Sequence, residues 1–215
     1  MMTFISPVAA VEPAHDCALC PRLAETRASC QAEFPPFWNA PVPTFGDPNA
    51  WLAIVGLAPG KHGANRTGRP FTGDFSGDLL FATLNKFGLT EGVYNRRADD
   101  GVTLKGAVIL NAVKCLPPEN KPTPEEIRTC RPFLASALEA LPNVRTVLAL
   151  GEIAHQSVIK VMGGKLPKHR FAHGAVHTML DGRRVVDSYH CSRYNVDTKR
   201  LSVEMFEAVF GVIVG

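Results

Sequence analysis

Four cysteines of this chain have the residue type and spacing of metal ligands. Cys17 and Cys20 form a CxxC pair, whose two thiolates can reach one metal from a single turn. Cys115 follows an apolar run and Cys130 lies in a predicted helix, so we expect these two to complete the site. Zinc and an iron–sulfur cluster use the same thiolates. Because residues 116–129 separate the second pair, where a zinc ribbon has two close pairs, the pattern favours iron–sulfur.

The other two cysteines, Cys30 and Cys191, are better explained as small apolar core residues. The N-terminus, residues 1–17, has neither the basic leader nor the apolar run of a signal peptide. We therefore expect a cytoplasmic protein, whose reducing surroundings argue against disulfides. No segment has the length of a membrane span, so no membrane partner is expected.

A long polar loop is the second feature that could do chemistry. Residues 56–78, GLAPGKHGANRTGRPFTGDFSGD, lie between the apolar run WLAIV and the amphipathic LLFATLNKF. The loop is too irregular and too rich in glycine to pack a core. Open α/β sheets bind ligands outside the carboxyl ends of their strands, so this loop is a candidate site.

The elements that must position this loop alternate between strand and helix. Continuous apolar runs predict buried strands at 51–57, 106–113 and 144–150, and a hairpin is predicted at 175–180 and 184–189. Helices are predicted at 21–31, after the loop, from Thr123 with a capping box, after Gly151, and from about Thr198. This order predicts a three-layer α/β/α fold with a small, mostly parallel sheet. We expect a single domain, 1–215, with a cysteine-bearing segment, 1–45, tied on by the metal site.

Three polar clusters fall at comparable places in this order. They are the 56–78 loop after the first strand, Asn111 near the end of the second, and HCSRYN, residues 190–195, after the last. Because parallel strands end at the same edge of a sheet, we expect these clusters to meet there.

The motifs GLAPG, NRTGRPFTGD, NAVKC and HCSRYN, together with the four cysteines, resemble the uracil-DNA glycosylase superfamily, in particular its family 5 (type b) iron–sulfur enzymes. The resemblance runs from Cys17 to about Asn195. It implies the α/β fold given above and a structural [4Fe-4S] cluster. It also implies a monofunctional enzyme that releases uracil, and other deaminated bases such as hypoxanthine, from DNA.

The implied reaction makes definite demands on the site. The target nucleotide must leave the base stack and enter a pocket. The base departs as an anion while the sugar becomes an oxocarbenium-like cation. The enzyme therefore needs a polar group that reads the base, a ring that stacks on it, a negative charge near the sugar and a donor near the base oxygen.

Residues of the matching motifs meet these demands. The amide of Asn111 offers a donor and an acceptor to a base edge, and the resemblance implies that Phe71 stacks on the flipped base. The resemblance also implies that His190 donates to the charge on the base O2, and that Asp74 supplies the negative charge and orients water. Asp74 could also cap the helix that begins near Ser76, and the two roles are compatible.

The first motif departs from that of related enzymes. Family 4 enzymes have GEAPG, whereas here the glutamate position is Leu57, which cannot polarise water. Gly56 and Gly60 allow the backbone to approach the ligand closely. With Ala58, these residues complete the predicted substrate-binding set.

The predicted DNA-facing rim is basic. The net charge of +3 is mild and does not by itself demonstrate nucleic-acid binding. Arg193 or Tyr194 could wedge into the gap left by the extruded nucleotide. The residues predicted to contact DNA are Lys61, Arg66, Arg69, Lys168, Arg170, Ser192, Arg193 and Tyr194.

Two other functions stay open at this point. One is a uracil-DNA-binding protein without turnover, including a covalently trapped form. The other is a zinc-stapled nucleotide hydrolase that uses Asp74 and His190 as acid and base. In the preferred interpretation the partner is DNA containing deaminated bases, and the protein is a monomer.

Overall fold

The computed structural model describes residues 12–215, which form a mixed sheet flanked by helices. The sheet order is β1-β5-β2-β6-β8-β7, with a separate β3-β4 pair. The strands are β1 (Phe45–Gly46), β2 (Leu52–Gly56), β3 (Thr90–Glu91), β4 (Thr103–Leu104), β5 (Ala107–Asn111), β6 (Thr146–Leu150), β7 (Val176–Thr178) and β8 (Arg184–Ser188). The helices are α1 (Pro21–Glu33), α2 (Ala64–Thr67), α3 (Phe75–Lys86), α4 (Pro124–Glu139), α5 (Glu152–Val161), α6 (Arg193–Asp197) and α7 (Val203–Val214).

The four central strands, β5, β2, β6 and β8, are parallel, and the edge strands β1 and β7 are antiparallel. The central strands are almost wholly buried because helices cover both faces. Helices α3 and α7 pack on one face, and α4 and α5 on the other. The predicted three-layer α/β fold is confirmed. Residues 1–11, which form most of the segment predicted not to be a signal peptide, lie outside the described range. The single domain stays a prediction.

The predicted strands and the hairpin are confirmed, with slightly shorter bounds. The capping box is also present, since Thr123 accepts from the Glu126 N–H and Glu126 accepts from the Thr123 N–H. The predicted final helix is present, but its predicted start near Thr198 is wrong. It begins at Val203, because Lys199 adopts a left-handed φ of +58° that ends the preceding turn. Among residues 12–215, none of the helices combines the length and the hydropathy that a membrane span requires.

The parallel register places the strand ends level. Gly56, the last residue of β2, pairs with Asn111, the last residue of β5. On the other side of the sheet Leu150 at the end of β6 pairs with Ser188 at the end of β8. The segments that follow β2, β5 and β8 therefore leave the sheet at the same edge.

A buried histidine joins α5, β7 and β8 beneath this edge. His155 Nδ1 lies 2.7 Å from Asp187 Oδ1, and its Nε2 lies 2.9 Å from the His169 carbonyl oxygen. His177 Nε2 contacts the other Asp187 oxygen at 3.0 Å. A carboxylate and a carbonyl can only accept, so His155 donates from both nitrogens, which requires the imidazolium form. Burial lowers the pKa of His155, but the hydrogen bond and charge of Asp187 outweigh it and the net pKa is raised.

This contact predicts a pH-dependent contribution to stability. An ordinary histidine has a pKa of about 6.5 in the unfolded chain, and the folded pKa lies above it. The stabilisation is therefore fully present below about pH 6.5 and is lost as the pH rises through the folded pKa. We expect the melting temperature of His155→Gln to fall furthest below wild type at acid pH, with the gap narrowing towards pH 9. The exposed His62→Gln is the control; a gap for His155→Gln that is independent of pH would contradict the charged form.

Candidate active site at the carboxyl edge of the sheet

A cavity of about 300 Å³ opens at the shared carboxyl edge of β2, β5 and β8. All residues predicted for catalysis and substrate binding line it, except Gly56. Its size is at the lower end of the range for small-molecule sites. Larger, more open grooves elsewhere contain none of these residues. The lining residues are Leu57, Ala58, Gly60, Ala64, Phe71, Asp74, Ser76, Asn111, Asn120, His190 and Ser192.

Gly56 lies beside the cavity and allows two of its walls to meet. A Cβ at this position would lie 2.6 Å from Asn111 Oδ1 and 2.7 Å from Phe71 Cε2. Any larger residue would therefore push the amide or the ring out of place. A glycine was predicted here to let the backbone approach a ligand closely. In the structure it also lets the Asn111 amide and the Phe71 ring approach the strand backbone.

Asn111 is a buried strand-end residue whose amide faces the cavity. Its exposed fraction is 3%, yet among residues 12–215 no protein group makes a hydrogen bond to its side chain. The alternative explanation, that this asparagine stabilises a turn at the end of the strand, would require a hydrogen bond from its side chain to the turn, and none is present among residues 12–215. A buried amide of this kind is poised to bond a ligand that enters the cavity.

Phe71 forms an aromatic wall with His190. Their ring centroids are 5.8 Å apart, with an angle of 26° between the planes. Phe71 has a left-handed backbone, with φ of +50°, which is uncommon for a bulky residue. The fold therefore holds this ring in place at an energetic cost.

Asp74 both caps a helix and lines the cavity. Its Oδ1 accepts a hydrogen bond of 3.1 Å from the Gly77 N–H, which makes it the N-cap of α3, a helix that begins at Phe75. Its other oxygen is crowded by the backbone of Gly63, where a Cβ would lie 2.2 Å away. Burial raises the pKa of Asp74 above the usual carboxyl range, against the opposing effect of the Gly77 hydrogen bond.

His190 is partly buried and uncharged at neutral pH. Burial lowers the pKa of its imidazole to about 4. The Asn195 side chain donates to the His190 carbonyl at 2.8 Å, which fixes the backbone, and Ser192 caps the short helix α6. Cys191 is fully buried beside them, as expected for a core cysteine. The neutral ring can therefore donate one hydrogen bond into the cavity.

Asn120 is a cavity residue that the sequence analysis did not identify. It ends a 3-10 turn, Pro118–Asn120, in which Glu119 and Asn120 have φ of +54° and +56°. Two prolines just before it are the only local signal of a rigid loop. Ala64 and Ser76 are further lining residues that were not predicted.

Most of the residues predicted to contact DNA lie on the surface of the protein. Tyr194 is 73% exposed, and Arg193 lies over the Phe75 ring at 5.3 Å. Lys61 lies over the Phe34 ring and pairs with Glu33 at 3.1 Å. Three others are also exposed, namely Arg66, Lys168 and Arg170.

The prediction that Arg69 contacts DNA is wrong. Its side chain is 1% exposed, and its two terminal nitrogens bind both carboxylate oxygens of Asp100 at 2.7 and 2.8 Å. Its Nε donates to Thr72 Oγ1 at 2.8 Å. All three donor groups of this guanidinium are directed into the protein, so none remains for a phosphate.

The four cysteines predicted to bind metal are free thiols. Cys20, Cys115 and Cys130 pack in one cluster, and Cys17 lies close enough to act on the Cys115 thiol. Burial raises the pKa of Cys115 to about 12, with further contributions from Cys130, Cys17 and Cys20. The Lys114 N–H points to Cys130 Sγ at 3.3 Å. Cys30 lies buried in α1, away from this set, as predicted for a core residue.

Comparison with known proteins gives the family. Residues 43–212 match the family model described as the uracil DNA glycosylase superfamily. The type-5 uracil-DNA glycosylase of Thermus thermophilus is 45% identical over 88% of this chain and 89% of its own length. The type-5 enzyme of Pyrobaculum aerophilum is 45% identical over 90% and 86%, and that of Mycobacterium tuberculosis 40% over 90% and 75%. This chain belongs to the uracil-DNA glycosylase superfamily.

Proposed function

We propose that this protein excises uracil from DNA by hydrolysing the bond between the base and the deoxyribose. One observation carries the proposal: a single cavity unites a carboxylate, an unpaired amide, an aromatic wall and a neutral imidazole. These are the four groups that a base-releasing enzyme requires. The type-5 relatives support the same activity.

The walls of the cavity suit a flipped base. Phe71 stacks on the face of the base, and the amide of Asn111 bonds its polar edge. A purine such as hypoxanthine also fits the proposal, because Ala58, Gly60 and Ala64 leave room and contribute no polar side chain that would reject it.

Bond cleavage develops a positive charge on the sugar and a negative charge on the departing base, and a different residue stabilises each. The carboxylate of Asp74 stabilises the oxocarbenium-like sugar and orients the attacking water. The neutral ring of His190 donates to O2 of the departing base, and its pKa of about 4 keeps it a hydrogen-bond donor rather than a full acid at neutral pH. Leu57 contributes no second carboxylate, so the rate depends mainly on leaving-group stabilisation and positioning.

The proposed product is an abasic site with an intact strand. Within the described range, residues 12–215, no lysine lines the cavity to act as a Schiff-base nucleophile. The covalently trapped alternative lacks support, because residues 112–123 contain no histidine after the second strand of the motif set. The nucleotide-hydrolase alternative also lacks support, since the relatives that match most of this chain are named as uracil-DNA glycosylases.

The thiol set suits a structural [4Fe-4S] cluster held by Cys17, Cys20, Cys115 and Cys130. A single tetrahedral zinc ion would bring its sulfurs to within about 3.8 Å of one another. Among residues 12–215 the trio whose possible ligand atoms lie within 4.8 Å of one another is His155, His177 and Asp187, and the cysteines form no such group. Hydrogen bonds already explain that trio. A cluster on these thiols would join the segment before α1 to the start of α4 and leave no open coordination position for substrate. Reduced thiols fit the cytoplasm, which stays the predicted location of the protein. A monomer stays the predicted oligomeric state.

The activity is tested with duplexes that contain uracil or hypoxanthine, followed by alkali to reveal abasic sites. We expect uracil release by the wild type, and about 100-fold slower single-turnover release by Asp74→Asn and His190→Ala. Asp78→Asn, on the same first turn of α3 but outside the cavity, is the matched control and should keep wild-type activity. Wild-type protein that leaves both duplexes intact, or an Asp74→Asn rate equal to wild type, would overturn the proposal.

The cluster is tested separately on the purified holoprotein. Cys130→Ser should abolish the visible sulfur-to-iron absorbance, reduce iron and sulfide per chain, and lower the melting temperature. Cys30→Ser removes an equally buried thiol outside the set and should keep colour and iron content. Stoichiometric zinc without iron in the wild type, or undiminished colour in Cys130→Ser, would refute the assignment.

A further inference from the structure

The segment that connects Phe71 to Asp74 is strained. Phe71 has φ of +50° and Gly73 has φ of +98°, so two of its four residues adopt left-handed backbone. The segment carries both the aromatic wall and the carboxylate of the candidate site. Such a conformation persists only where neighbouring groups hold it.

The hydroxyl of Tyr94, which does not line the cavity, makes hydrogen bonds to the backbone of this segment. It accepts a hydrogen bond from the Gly73 N–H at 3.2 Å and donates one to the Phe71 carbonyl at 3.2 Å. A single oxygen therefore fixes the peptide groups on both sides of Thr72. Burial raises the pKa of Tyr94 to about 12, so the phenol keeps the proton that it donates.

The Tyr94 ring is itself fixed by stacking. It lies nearly parallel to Phe81, with centroids 4.2 Å apart and an angle of 8° between the planes. The guanidinium of Arg69 lies over both rings, at 5.7 Å from Tyr94 and 5.4 Å from Phe81. The buried arginine thus belongs to the support of the segment.

Arg69 joins the segment to the following loop. Its Nε binds Thr72, and its bidentate partner Asp100 also accepts from the Asn95 N–H at 2.9 Å and the Val102 N–H at 3.1 Å. The loop that carries Tyr94 is therefore closed around Arg69. The pKa of Asp100 is lowered to about 2, because the hydrogen bonds from Arg69 and the backbone outweigh burial.

The first turn of α3 completes this support. A Cβ at Gly77 would lie 2.0 Å from the Phe71 carbonyl oxygen and 2.5 Å from Tyr94 Oη. Only glycine lets the helix pack against the hydrogen bond between these two groups. The helix backbone at Gly77 therefore packs directly against both the Phe71 carbonyl and the Tyr94 hydroxyl.

We propose that Tyr94 is a positioning residue of the glycosylase, which acts through Phe71 and is held in place by Arg69. The proposal rests on the function proposed above. Tyr94 does not line the cavity, so it does not touch the base. Its hydroxyl fixes the backbone of Phe71, which sets the plane of the stacking ring. Removing the hydroxyl should therefore impair the chemical step more than DNA binding.

The test compares Tyr94→Phe with the matched control Tyr189→Phe. Single-turnover uracil release at saturating enzyme should be about 10- to 100-fold slower for Tyr94→Phe. Its Kd for duplex DNA with a non-cleavable uracil analogue should stay within about twofold of wild type, and its far-UV spectrum unchanged. Tyr189→Phe should match wild type in both measurements. A Tyr94→Phe rate equal to wild type would overturn the positioning role.

A double-mutant cycle identifies the residue through which Tyr94 acts. In a Phe71→Leu background the ring is already absent, so adding Tyr94→Phe should slow release by less than about threefold. Full multiplication of the two losses would contradict the link to Phe71. Thr72→Val removes the Arg69 contact without altering Tyr94 and tests the support of the segment independently. It should show slower single-turnover uracil release with an unchanged Kd for DNA. Absence of uracil release by the wild type would instead overturn the proposed function, which separates the two failures.

Discussion

The parallel alignment of the four central strands is the constraint on which the rest of this structure depends. Gly56 and Asn111 are paired residues at the ends of the adjacent strands β2 and β5. Strand β8, which is separated from β2 by β6, ends level with them. Parts of the chain that are far apart in sequence therefore leave the sheet at one edge. The cavity exists because of this alignment, and a slip of one residue in β5 would turn Asn111 to the opposite face.

The edge alone does not make a site, because the loop between β2 and α3 has to place two groups with opposite preferences. Phe71 presents an apolar ring, while Asp74 must retain a carboxylate in surroundings that raise its pKa. The fold achieves this with a strained backbone supported by buried polar contacts. Arg69 is stabilised inside the protein because a bidentate carboxylate and stacked rings replace its hydration.

Much of this arrangement could be predicted from the sequence, for identifiable reasons. Strands buried on both faces appear as continuous apolar runs, and the Thr123 capping box marks its helix by residue type alone. Phe71, Asp74, Asn111 and His190 were found because their motifs resemble a known family. Their convergence follows from the parallel sheet.

The predictions that failed depended on a distant partner or on backbone conformations that the residue types do not specify. Arg69 looks like a surface cation in the string NRTGRPFTGD, and only the folded chain brings Asp100 to it. Asn120 enters the cavity through two consecutive left-handed residues, which no local pattern demands of Glu119. The late start of α7 depends in the same way on the backbone of Lys199.

The central claim is that this cavity receives an extruded base with a carboxylate beside the sugar. A crystal structure of Asp74→Asn bound to a duplex that contains uracil tests it most directly. The account predicts uracil stacked on Phe71, with the Asn111 amide within about 3 Å of its polar edge and residue 74 beside the deoxyribose. Uracil that remains in the duplex, or that lies in another part of the protein away from Asn111 and His190, would contradict it.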